Sequence, residues 1–155
     1  MIIVEDTRNQ VAKHRLLNDT LAEKGITVVR SKLFVGDYTR LDNQTVCIDT
    51  KKDINEIAGN ICGTQHERFR AECIRARDNF IKLIVLIEEA PPNNDLTQWI
   101  SRKRKSAKQV KGETLQKAMH TMREKYGVVF EFTTREKCAE RIIEILTAVN
   151  VEVNV

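Results

Sequence analysis

Residues Lys82 to Glu89 read KLIVLIEE, with five apolar side chains in unbroken succession. A strand with one wet face alternates apolar and polar residues, and this one does not, so it reads as an interior strand of a sheet. The other segments must be arranged around it. Ile2 to Val4 and Ile26 to Val29 are short apolar strands, and VGDYTRLDNQTVCIDTKK (Val35 to Lys52) reads as two more around a polar turn. VVFEF (Val128 to Phe132) is the last. Helical patterns fall between them. One follows a Thr7/Gln10 capping box and stops at Gly25. A second follows Asp53 and Glu56, with Ile54, Ile57, Ala58 and Ile61 on one face. A third starts near His66, and Phe69, Cys73, Ala76 and Phe80 form its inner stripe. A fourth begins near Leu96, and a fifth spans Glu113 to Lys125, before Gly127. The last is capped by Thr133 and Glu136 and buries Cys138, Ile142, Ile145 and Val149. The mixture predicts an α/β fold: a central mixed β-sheet flanked by helices, in one domain over residues 1–150. Residues 151–155, VEVNV, form a tail that is either an edge strand or frayed.

A chain of 155 residues suits one core. No apolar run approaches the roughly 20 residues needed to span a membrane, and MIIVEDTRNQ has no secretory pattern. Cys47, Cys62, Cys73 and Cys138 show neither a paired nor a zinc-like spacing, which fits free thiols in a reducing compartment. A cytoplasmic protein is expected, of a bacterial or phage type. The net charge is +4 and the pI about 8.9. Within it, SRKRKSAKQVK holds six basic residues and no acid: Arg102, Lys103, Arg104, Lys105, Lys108 and Lys111. Such a run is either a solvated surface or a phosphate-binding one.

The hairpin carries the chemistry. On its second strand Asp49 and Lys51 are two residues apart and share a face. On its first strand Asp37 opposes a core face of Phe34 and Tyr38, matched across the turn by Val46 and Ile48. A two-residue turn would pair position 37 with 48 and turn Asp49 away. A three-residue turn or a bulge pairs 37 with 49, with β-carbons ~4.5–5.5 Å apart, and this register is predicted. Two adjacent carboxylates repel unless one takes a proton or a cation intervenes. Mg²⁺ accepts one or two carboxylates and keeps several waters, and a metal lowers the pKa of its water. With Lys51 beside them, the group suits phosphodiester hydrolysis. Acid-x-Lys alone is a common tripeptide. Its place on a strand next to another acid, with a capped helix directly after, is what carries information.

That arrangement resembles the PD-(D/E)xK nucleases, and more narrowly the nuclease domain of the XPF family of structure-specific endonucleases. The motifs are DTRNQ from Asp6, GDY at Gly36-Asp37-Tyr38, DTK at Asp49-Thr50-Lys51, ERFRAE at Glu67 to Glu72, and LIVLIEE. The resemblance implies a restriction-endonuclease-like fold and a metal-dependent endonuclease acting on DNA. It implies Mg²⁺ or Mn²⁺ on Asp37 and Asp49, with Lys51 near the attacking water. Asp6 would be a further carboxylate at the edge of the metal site, or simply a helix-turn residue. Arg68 would bind the DNA backbone, or be a solvated arginine. The chain departs from the family pattern at Asp49 and Thr50, where Glu-Arg is usual, at Asn55, where an acid is expected, and at Asn9. No tandem helix-hairpin-helix module of the family is expected with the domain, and a homodimer or a separate DNA-binding subunit is expected to supply further DNA contact. The competing readings are a non-catalytic module that binds DNA or a partner subunit, and an interaction protein unrelated to nucleic acid.

Overall fold

The computed structural model describes residues 1–102 and 108–149. Six strands form one mixed sheet in the order β2-β1-β3-β4-β5-β6. They are β1 (Ile2–Asp6), β2 (Thr27–Ser31), β3 (Tyr38–Arg40), β4 (Val46–Lys51), β5 (Lys82–Ile87) and β6 (Val129–Phe132). Only β3 runs against its neighbours; the β1/β2, β4/β5 and β5/β6 pairs are parallel. The predicted mixed sheet is therefore present, with KLIVLI as an interior strand.

Helices cover both faces, which is why β5 does not alternate. α1 (Val11–Glu23) and α5 (Cys138–Ala148) lie on one side, over Ile3, Tyr38, Ile48, Ile84 and Leu86. α2 (Ile54–Cys62), α3 (His66–Asp78) and α4 (Gly112–Tyr126) lie on the other, over Cys47, Leu83, Val85 and Ile87. Odd and even positions of β4 and β5 thus feed two separate cores, as the two-residue period of a strand requires.

Several local expectations are corrected. Thr7 caps nothing: α1 starts after Gln10 without a side-chain cap. Thr133 does not cap α5, whose first turn follows Lys137. Asp53 does cap α2, accepting the Glu56 N–H at 2.8 Å. The helix near Leu96 is a single 3₁₀ turn, Leu96–Gln98, because the chain must turn outward once Leu96 and Trp99 are buried. Phe80 leaves the α3 stripe. The helix ends at Asp78, Phe80 adopts φ 56°, and its ring is 91% exposed. Among the described residues, no helix is long and apolar enough to cross a membrane. Lys103, Arg104, Lys105 and the tail 151–155 lie outside the described residues.

Candidate active site

β1, β3 and β4 are neighbours, and this brings the three acidic motifs together. The β3/β4 ladder pairs Tyr38 with Ile48 and Thr39 with Cys47. Continued by one residue, that register sets Asp37 across from Asp49, as predicted. The turn is longer than three residues, however, and Asp37 lies in the bend just before β3 rather than on the strand. Its backbone is held from both sides: its N–H donates to Ile48 O at 2.7 Å, and its carbonyl accepts the Asp6 N–H at 2.9 Å. Gly36 makes this approach possible. It has φ +74°, and a β-carbon there would sit 3.0 Å from Ile48 O.

Asp37, Asp49, Lys51, Asp6 and Arg68 all line one polar cleft of about 620 Å³. The strand face that Asp49 and Lys51 share is covered by helices. Asp49 belongs to the face that α2 and α3 cover, and only 5% of it is exposed. Burial pushes the Asp49 carboxyl well above the usual carboxylate range; Lys51 opposes the shift, while Asp37 and Glu72 add to it. Lys51 Nζ lies 3.0 Å from Asp49 Oδ2 and 5.6 Å from the centre of the Phe69 ring. Burial works against its charge, but Asp49 and Asp37 outweigh that and hold its pKa above the ordinary lysine value. Lys51 is thus the ion-pair partner of the buried Asp49 Oδ2. Asn60 Oδ1, on another residue lining the cleft, has no hydrogen-bond partner among the described residues.

Asp37 is supported by a residue that the motif pattern undervalues. Thr50 donates to Asp37 Oδ2 twice, from its N–H and from Oγ1, each at 2.8 Å. The hydroxyl stands where the resembled family carries arginine, and here it aims the carboxylate. Thr50→Val keeps the shape and removes the hydroxyl donor. It should cost about 1.5–3 kcal/mol of stability, the range for a hydrogen bond to a charged group. Chemical denaturation reads that loss, and an unchanged unfolding midpoint would mean that the hydroxyl does not hold Asp37.

Asp6 is committed elsewhere. Its Oδ1 accepts the Leu33 N–H at 2.9 Å and its Oδ2 takes Arg8 Nε at 2.6 Å. It ties the end of β1 to the 33–37 segment that presents Asp37. Arg68 is exposed on the wall of the cleft. Arg102 and Lys108 are exposed at the two sides of the basic run, whose neck is closed by a bridge between Ile100 and Lys111. Asn55, where an acid was expected, accepts the Arg102 N–H at 3.1 Å. The departure therefore tethers the basic run to the first turn of α2, three residues beyond Lys52.

Phe34 was assigned to the core and is 55% exposed instead. It precedes Val35 in the bend, outside the strand, so strand alternation does not govern it. Glu72 was missed. Its Oε1 accepts the Gly36 N–H at 2.8 Å, bracing the peptide next to Asp37 from α3. Its spacing held the signal: Glu72 is three residues after Phe69 and one before Cys73, on the flank of the stripe that faces the sheet.

The ERCC4 domain family matches residues 5–146. The chain belongs to the ERCC4 domain family. This is a nuclease family, and its match takes in the end of β1 and the whole of β2 to β6. Among solved structures, the chain is similar to XPF from Aeropyrum pernix, with TM-score 0.67 and 16% identity over 97% of this chain and 65% of that one. It is similar to XPF from Aeropyrum pernix in complex with DNA, with TM-score 0.68 and 18% identity over 99% of this chain and 66% of that one. The chain thus spans about two thirds of the length of those structures, and at such identities the likeness is one of fold. Comparison with curated proteins finds no match. The restriction-endonuclease-like α/β fold of the ERCC4 domain sets the cleft where the bend before β3 and strand β4 carry acids side by side.

Proposed function

We propose that the chain is a metal-dependent DNA endonuclease that hydrolyses phosphodiester bonds in branched or flap DNA. The observation that carries this reading is Asp37 set across from the buried Asp49, with the Lys51 ammonium 3.0 Å from Asp49 Oδ2. One ammonium beside two neighbouring carboxylates leaves negative charge uncompensated, and a divalent cation is the partner that charge and hardness suit. Asp37 and Asp49 would hold Mg²⁺ or Mn²⁺. Asp6, with both oxygens engaged, contributes by fixing the 33–37 segment rather than by reaching an ion. A bound ion supplies Lewis acidity at the phosphate.

The chain's own residues do the rest. Thr50 and the Ile48 carbonyl orient Asp37. Lys51, pinned between Asp49 and Phe69, presents a fixed ammonium where charge develops on a phosphoryl oxygen or where a water must be oriented. Arg68 lines the route of the DNA backbone, and Arg102, Lys108 and Lys111 flank the neck of the basic run. Lys103, Arg104 and Lys105 extend that charge in the sequence. DNA contact beyond this domain would come from a second copy or from a separate subunit.

Incubation with flap, branched and linear DNA in Mg²⁺, Mn²⁺ or EDTA tests the reading. Cutting should require the metal, and absence of cutting in every metal would end it. One observation favours a second reading, a DNA-binding module that does not cut. Among the described residues, no three histidine, cysteine or acidic side chains group as a ready metal site. Binding without cleavage in both metals is its signature. Neutralising Lys103, Lys105 and Lys108 together should lower the slope of log affinity against log salt by about 3 × 0.9 for duplex DNA. An unchanged slope would remove the basic run from the interface.

A further inference from the structure

The segment Leu33 to Asp37 is held on every side, yet it presents an aromatic ring to water. Leu33 and Val35 are buried, and Phe34 between them is 55% exposed. Leu33 N–H donates to Asp6 Oδ1, and Leu33 O accepts from Arg8 Nη2 at 3.0 Å. Phe34 O accepts from Arg75 Nε at 3.0 Å, and Gly36 N–H is taken by Glu72. A single exposed apolar side chain is ordinary on a protein surface. Three features set this one apart from exposed Val11 or Leu16. Its backbone is fixed before any ligand arrives. Arg8 and Arg75 bond to the carbonyls on either side of it, each has N–H groups left over, and both line the cleft. It stands three residues from Asp37, so at most ~10 Å of chain separates it from the metal-binding carboxylates.

An exposed aromatic on a fixed backbone, flanked by two arginines that line the cleft, is the chemistry of a base-stacking platform. A base within a continuous duplex is already stacked and offers no free face. We infer that Phe34 stacks on an unpaired base beside the scissile phosphate, with Arg8 and Arg75 taking the flanking phosphates. This makes the chain prefer DNA with unpaired nucleotides at the cut over continuous duplex. The inference rests on the nuclease reading and adds a determinant of substrate structure to it.

The test measures binding in EDTA, so that it does not depend on cleavage. Parent, Phe34→Trp and Phe34→Ala proteins are titrated with a flap DNA and with a continuous duplex of the same length. Phe34→Ala should lose roughly 5- to 150-fold in affinity for the flap and keep its affinity for the duplex, and Phe34→Trp should retain both. A 2-aminopurine placed in the unpaired arm should be quenched by the parent and not by Phe34→Ala. Equal losses on both DNAs, or unchanged flap affinity with unquenched emission, overturn the inference and leave the nuclease reading standing. A parent that binds neither DNA overturns both. A Phe34→Ala protein that loses a dimer in sedimentation while keeping its flap affinity would assign the ring to a contact between copies, against the inference.

Discussion

Asp49→Asn should abolish metal-dependent cleavage, with a loss on the order of 10³-fold or more, and leave the fold intact. The chemical part follows from the cleft. Asp49 supplies the buried carboxylate across from Asp37, and an amide in its place carries no charge to hold a cation. The stability part follows from its protonation. Burial, with Asp37 and Glu72 nearby, raises the Asp49 pKa in the folded protein. Between its unfolded and folded pKa values the native state therefore binds more protons than the unfolded chain, and stability falls as pH rises through the folded value. Removing the carboxylate charge also takes away the 3.0 Å partner of the buried Lys51 ammonium, so the Asn variant should stay folded but melt below the parent in EDTA. Added Mn²⁺ should raise the parent's Tm more as pH increases, because the proton must leave before the ion binds, and should leave the variant unmoved. Scanning fluorimetry across pH 5.5 to 8.5 measures both. A variant that cuts like the parent, or a parent whose Tm ignores Mn²⁺ at every pH, would remove Asp49 from the metal site.

The second large effect is structural. Gly112→Ala should destabilise the protein by about 3 kcal/mol or more, at the upper end of the range for overpacking, and lower Tm by roughly 6–12 °C. Gly112 opens α4 directly under the turn at Leu96–Gln98. A β-carbon there would fall 1.8 Å from Leu96 O and 2.7 Å from Trp99 O. The obstacles are backbone atoms, so no rotamer change can relieve them. The Gly112 N–H also donates to Trp99 O at 2.8 Å, and the adjoining Ser101 N–H donates to Val110 O at 3.0 Å. Together these close the neck of the basic run and hold Arg102 against Asn55. The variant should therefore lose DNA affinity as well as stability, measured by anisotropy below its Tm. Retention of the parent Tm would show that the neck can open without cost.

The periodicities were legible because they are local. KLIVLI, the Ile54/Ile57/Ala58/Ile61 face and the Cys138/Ile142/Ile145 face each encode their own burial within a dozen residues. The same holds for the Asp53 cap and for the adjacency of Asp37 to Asp49, which strand register transmits from the Tyr38 and Ile48 pair. Capping was less legible at Thr7 and Thr133, where a matching spacing exists but the helix starts elsewhere. Phe34 and Phe80 were misplaced for a related reason: each lies just beyond its regular element, where the period no longer applies.

The amino-acid order alone therefore specified most of the strands and helices and the acidic hairpin, since each depends on neighbours a few positions apart. Tertiary packing decided the character of the site. α3, contributed by residues 66–78, roofs Asp49, sets Phe69 under Lys51 and braces Gly36 through Glu72. Asn55 meets Arg102 only because α2 and the neck of the basic run pack together. These contacts join residues dozens of positions apart. They determine dielectric and charge around the carboxylates, quantities that belong to three-dimensional proximity and that no spacing along the chain can express.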